Sequence, residues 1–90
     1  MVATARSEPT SDLVTVLHVD DEHEQANLVA DMVERESAAI TVITETDVPT
    51  ALERLRRTAS AVDCVVSDYN MPAMDGLEFL DAVREEYPEL

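Results

Sequence analysis

At 90 residues the chain has room for one small domain, and a chain of this size buries only roughly 60–65% of the surface it exposes when unfolded. Its 20 acidic residues outweigh 6 basic ones, all arginine, for a net charge of −14. That balance excludes nucleic acid and anionic membrane surfaces as partners, since both are gripped by clusters of Lys and Arg. It also lacks any run of ~18 apolar residues that would span a bilayer.

An apolar fraction of 46% is enough for a globular core. The single cysteine, Cys64, has no internal partner for a disulfide, and no basic segment followed by an apolar run marks a secretory signal, so the cytoplasm is the expected compartment. The acid-rich, lysine-free composition resembles that of proteins from salt-loving archaea. Such a chain repels itself at low ionic strength, and molar salt shortens the repulsion to about 3 Å.

Residues 1–12 are polar, rich in Ser and Thr and interrupted by Pro9, which predicts a disordered leader ahead of a domain over 13–90. Leu13 to Val19 is β-branched and apolar and reads as a first strand, stopping at Asp20-Asp21-Glu22. From Glu24 to Glu36 the pattern turns helical, with Leu28, Val29, Met32 and Val33 as the expected core stripe. Ile40 to Thr44 is a second strand. Asp47 is the expected N-cap of a helix with Pro49 in its first turn, Ala51, Leu52 and Leu55 inward and Glu53, Arg54, Arg56 and Arg57 outward. Val62 to Ser67 is a third strand, buried on both faces, with Asp63 at its entrance and Asp68 at its end. A loop with Pro72 leads to Asp75 as a cap, to Gly76 (the only glycine) and to a third helix carrying Leu77, Leu80 and Val83.

Strands alternating with helices imply an α/β fold on a parallel sheet with right-handed crossovers. The first and third strands both end in carboxylates, at the sheet edge where open α/β folds place their chemistry. If these strands are neighbours, Asp20, Asp21 and Asp68 converge. Two carboxylates ~4 Å apart repel by roughly 4 kcal/mol at an effective dielectric near 20, so three require a counter-charge. No arginine lies near them in sequence. Hard oxygen ligands suit a divalent ion, most naturally Mg²⁺, which keeps several waters and leaves room for a phosphoryl group. One carboxylate is then available as a nucleophile toward phosphorus.

The acid pair Asp20-Asp21 after a first strand, with Ser67-Asp68-Tyr69-Asn70-Met71-Pro72 and Asp75-Gly76 after a third, resembles the receiver domain of two-component response regulators. The resemblance implies a flavodoxin-like (CheY-like) sheet, present here as its first three β-α units. It implies that Asp68 is the phosphoacceptor and that Asp20, Asp21, Asp68 and the backbone carbonyl of Asn70 hold Mg²⁺. Met71, Pro72 and Gly76 would shape the loop. The partner would be a sensor histidine kinase or a phosphotransfer protein, and the domain would relay a signal rather than turn over a substrate.

Two features depart from the family pattern. The chain ends before the strand that would carry a phosphoryl-sensing Ser or Thr, and it has no Lys to pair with the phosphoryl group, so phosphorylation of this polypeptide alone is expected to be slow. In the family's strand order 2-1-3-4-5 the third strand would become an exposed apolar edge, which predicts self-association through it. A phosphorylation-independent dimerisation or docking module is the competing reading. A calcium loop fails because Ala73 stands where Gly is needed, and a haloacid-dehalogenase-type phosphatase fails because position 70 is Asn. His18 is expected to be packed and structural, and His23 exposed at a helix start.

Overall fold

The computed structural model describes residues 1–6, 12–72 and 74–90. Its elements in chain order are β1 (Val2–Ala5), β2 (Val14–Val19), α1 (His23–Glu36), β3 (Ile40–Glu45), α2 (Val48–Thr58), a 3₁₀ turn (Ala59–Ala61), β4 (Cys64–Ser67) and α3 (Gly76–Glu86). β2 lies at the centre, parallel to β3 from Val14↔Ile40 to Val19↔Glu45 and parallel to β4 from Val16↔Cys64 to Val19↔Ser67. The β-α alternation of the sequence is thus realised as parallel pairing. The chain crosses from β2 to β3 on one side and from β3 past β2 to β4 on the other. Right-handed crossovers in these opposite directions place α1 and α2 on opposite faces of the sheet.

The core lies on the α2/α3 face. Leu17, Val19 and Val65 from the strands pack with Val48, Ala51 and Leu55 of α2 and with Phe79, Leu80 and Val83 of α3. Period-two alternation sends His18 to the other face, where it is buried. Both caps form where side-chain oxygens were expected. Asp47 accepts from the Thr50 N–H at 2.8 Å at the start of α2, and Asp75 accepts from the Glu78 N–H at 2.8 Å at the start of α3.

The first residues depart from the expected leader. Val2–Ala5 is a strand, antiparallel to β4 with Val2 opposite Ser67 and Ala5 opposite Cys64, which makes the order β1-β4-β2-β3 and the sheet mixed. The rest of the proposed leader, residues 7–11, lies outside the described residues. The third strand of the sequence is therefore not an edge, because β1 takes up its outer backbone groups. A bare β4 would present unpaired N–H and C=O groups beside the core, and any compatible segment of the chain gains by capping them. Arg6 completes the closure: its Nε donates to Val62 O at 3.0 Å and its Nη2 to Ala59 O at 2.8 Å, while Nη1 pairs with Glu89 at 3.1 Å.

The helix stripe also needs correction. Leu28 and Met32 of α1 are exposed, as is Leu77 of α3, whereas Ala26 is fully buried and Val29, Ala30 and Val33 are half-buried. Positions 26, 29, 30 and 33 form the i, i+3, i+4, i+7 lane that meets the sheet, and Leu28 and Met32 occupy the neighbouring lane. Arg54, expected on a solvated face, pairs with Glu45 at the end of β3.

Candidate functional site

β2 and β4 end side by side, and the ladder runs one step past each of them. The Asp68 N–H donates to Val19 O at 2.9 Å and the Asp20 N–H to Glu45 O at 3.1 Å. Those bonds fix two aspartates at adjacent strand ends. One ligand oxygen from each of Asp20, Asp21 and Asp68 lies within 4.8 Å of the others. The three residues singled out in the sequence are thus brought together.

Their environments differ. Asp20 is fully buried; its Oδ1 accepts from the Glu22 N–H at 2.9 Å, and its Oδ2 is buried without a partner. A buried carboxylate oxygen with no donor is costly unless a cation or water meets it. Asp21 is exposed. Asp68 is half-buried, and its Oδ1 accepts from the Tyr69 N–H at 2.9 Å. Among the described residues no Arg is hydrogen-bonded or ion-paired to any of the three. An acid cluster with one orphaned buried oxygen and no basic side chain fits a hard divalent cation. Asn70 follows in the same loop and is exposed.

The loop from Asp68 to Gly76 is tightly held. The Gly76 N–H donates to Tyr69 O at 2.8 Å, and Ser67 Oγ, buried, donates to Asp68 O at 2.9 Å. A Cβ at position 76 would lie 2.4 Å from Asp68 O and 2.8 Å from Val2 Cγ2, so this glycine permits a backbone approach that no other residue allows. Beside the acids, Asp21, Thr46, Asp47, Val48, Pro49, Met71 and Pro72 line a small cleft of about 110 Å³. His18, one residue before the Val19–Asp20 strand end, is buried and feels the charges of Asp20 and Asp68. Burial holds its pKa below the usual histidine value, against the opposing pull of Asp20 and Asp68. Its two ring nitrogens have no partner.

The family model for the response regulator receiver domain matches residues 16–90, which takes in β2 from Val16 on, every later strand and helix, and the acid cluster. This chain belongs to that family. Among curated proteins the receiver is similar to the hydrogenase transcriptional regulatory protein HoxA of Cupriavidus necator, 36% identical over 84% of this chain and 15% of that protein. It is likewise similar to the two-component response regulator ARR10 of Arabidopsis thaliana, 37% identical over 79% of this chain and 12% of that protein. The chain therefore spans under a sixth of the length of these relatives. A receiver domain protein from Clostridium thermocellum shares the fold at a TM-score of 0.78 and 22% identity, covering 84% of this chain and 59% of that one. An uncharacterised protein from Neptuniibacter caesariensis superposes at 0.68 with 35% identity, covering 83% of this chain and 53% of that one. The fold is flavodoxin-like, with β1 added. Receivers are signalling domains that interact with histidine kinases or phosphotransfer proteins and bind Mg²⁺ at an acidic pocket.

What the sequence missed lies around the acids rather than among them. Nothing in the Val2–Ala5 segment announces a strand, and Val2 reaches the site only through its contact at Gly76. His18 was expected to be packed, and it is buried; its lack of a hydrogen-bond partner was not legible.

Proposed function

We propose that Asp68 accepts a phosphoryl group from the phosphohistidine of a sensor kinase or phosphotransfer protein in the cytoplasm. The ligands of the Mg²⁺ ion would be Asp20, Asp21, Asp68 and the backbone carbonyl of Asn70. The observation that carries this reading is the convergence of three carboxylates within 4.8 Å around the unpartnered, buried Oδ2 of Asp20.

The Tyr69 N–H, bonded to Asp68 Oδ1, orients the carboxylate and leaves Oδ2 to meet phosphorus in line. As the new O–P bond forms, the P–N bond to the donor imidazole breaks and its electron pair leaves with the ring nitrogen, which takes a proton from water. A bound divalent ion supplies charge neutralisation for the transferred group. Asp20, fixed by its strand end and by the Glu22 N–H, positions its second oxygen for that ion. Among the described residues no basic side chain pairs with the acids, so transfer should be slow.

The test is a ¹⁵N-resolved Mg²⁺ titration together with labelling from a phosphohistidine donor. Saturable shifts confined to the loops after β2 and β4, and an acid-stable, base-labile label lost in Asp68→Ala, are the expected results. Shifts spread over the acidic surface, or a label that survives Asp68→Ala, would overturn the reading.

A further inference from the structure

The last residue of β4 is polar where the strand's own pattern asks for an apolar one. Val65 and Ser67 are two apart, on one face of the strand, and both are fully buried. A β-branched apolar residue would suit position 67 by strand propensity and by burial, whereas a hydroxyl there costs free energy unless it is bonded. Ser67 Oγ is bonded, but not to the sheet. It donates to the Asp68 carbonyl at 2.9 Å and lies 3.7 Å from Met71 Sδ. A thioether is a weak acceptor, so the single hydroxyl proton belongs to the carbonyl. A local rule broken inside the core, one residue before Asp68, marks a functional position.

We propose that Ser67 is a positioning residue that fixes the Asp68 peptide and so aims the Asn70 carbonyl at the ion, a role that rests on reading Asp20, Asp21, Asp68 and Asn70 as the ligands of Mg²⁺. The chain leaves β4 through peptides that are pinned one after another. Val19 O holds the Asp68 N–H, Ser67 Oγ holds the Asp68 carbonyl, and the Gly76 N–H holds the Tyr69 carbonyl. Met71, on the far side of Asn70, packs against the core and touches Ser67. Asn70 between them is exposed. Because peptides are planar, the flanking φ and ψ angles alone set where a carbonyl points, so the Asn70 carbonyl takes its direction from these neighbours. Without the Ser67 proton the Asp68 peptide is free to rotate, and the Asn70 carbonyl moves with it. Both Ser67 contacts are to residues one and four places on, so the device is contained in the loop that it serves.

Ser67→Thr and Ser67→Val form the test, since both side chains are branched at Cβ and differ only in the hydroxyl. Mg²⁺ is titrated into ¹⁵N-labelled chain at fixed ionic strength. The Met71 ¹⁵N shift is the key signal, because that nitrogen shares a peptide with the Asn70 carbonyl. Ser67→Thr should bind within about twofold of the unmodified chain and Ser67→Val about three- to tenfold more weakly, the span that one hydrogen bond covers. Ser67→Val should also lose most of the Met71 shift at saturation. Ser67→Ala, which adds no methyl to the core, should match Ser67→Val. A merely structural hydroxyl would change unfolding in EDTA and leave both Mg²⁺ signals alone, and that outcome overturns the proposal. So do equal affinities and equal Met71 shifts in the Thr and Val variants. An unmodified chain with no saturable shift removes the metal reading itself, and the proposal with it.

Discussion

The two ends of β4 each carry an aspartate, and the chain treats them in opposite ways. At the entrance, the Asp63 N–H donates to Thr15 O and its Oδ2 accepts from the Thr15 N–H, both at 2.9 Å, while its carbonyl takes the Arg6 N–H. That carboxylate is tied to the backbone of β2, while the Asp63 carbonyl ties β1. At the exit, the Asp68 carboxylate likewise accepts one backbone N–H, from Tyr69, but it meets two further acids. A carboxylate whose neighbours are strand backbone serves the ladder, and one drawn up to other carboxylates makes a site that a cation can occupy. Residue type and a single backbone donor do not separate the two cases; the neighbouring acids do.

The sharpest way to break this contrast is to delete each acid in turn. Asp68→Ala should abolish phosphoryl labelling, and Asp63→Ala should leave the labelled fraction within about twofold at a temperature where both are folded. Equal losses would mean that the two ends are not functionally distinct. Asp20→Asn sharpens the point on the stability side. In EDTA it removes a like charge from the cluster, and pairs at this spacing repel by roughly 1–3 kcal/mol between bulk and surface dielectrics, so the melting temperature should rise. Added Mg²⁺ should then raise the melting temperature of the unmodified chain and not that of the variant.

Gly76→Ala tests the exit end through its backbone. The new Cβ meets Asp68 O, which cannot swing away as a side chain would, so the loop after β4 must shift. A cost of about 2 kcal/mol or more is expected by chemical denaturation, together with weaker Mg²⁺ binding. An unchanged midpoint would show that the loop is free to yield. Asp63→Ala, at the entrance, should cost about 1–3 kcal/mol, since the Thr15 N–H loses its acceptor. Asp63→Asn should recover most of that because its amide oxygen still accepts. A deficit equal to that of the alanine variant would assign the effect to charge instead.

The parallel strands, the two aspartate caps and the three site acids were legible in the sequence because each rests on a local signal: a β-branched run, an Asp before a helix, an acid just past a strand. The strand β1 was not. Val2-Ala3-Thr4-Ala5 has weak strand propensity and follows no turn, and its pairing depends on an edge sixty residues away in the chain. For the same reason the exposed third-strand edge foreseen from the family's strand order is covered in the structure. Leu28 and Met32 misled for a different reason. Hydrophobic periodicity identifies a helix but not which of two adjacent lanes faces the sheet, and the small residues Ala26 and Ala30 took that place.

The smallest effect concerns His18, whose imidazole lies on the opposite side of β2 from the core and has no hydrogen-bond partner. Burial lowers its pKa below 6.5, with Asp20 and Asp68 working against the shift. A histidine with a depressed pKa binds fewer protons folded than unfolded. Its stabilising share is thus complete above the unfolded value near 6.5, and it declines as the pH falls from there toward the folded value. The loss of stability as the pH falls below the unfolded value, followed in EDTA, should therefore carry a contribution from His18. Its slope has a ceiling of about 1.4 kcal/mol per pH unit, the value for one proton. In His18→Leu the slope should flatten, and at pH 7.5 the midpoint should hold or rise, because an apolar side chain leaves no ring nitrogen unsatisfied. If the variant keeps the full slope, the histidine is hydrated in solution and the decline originates among the acids at the sheet edge.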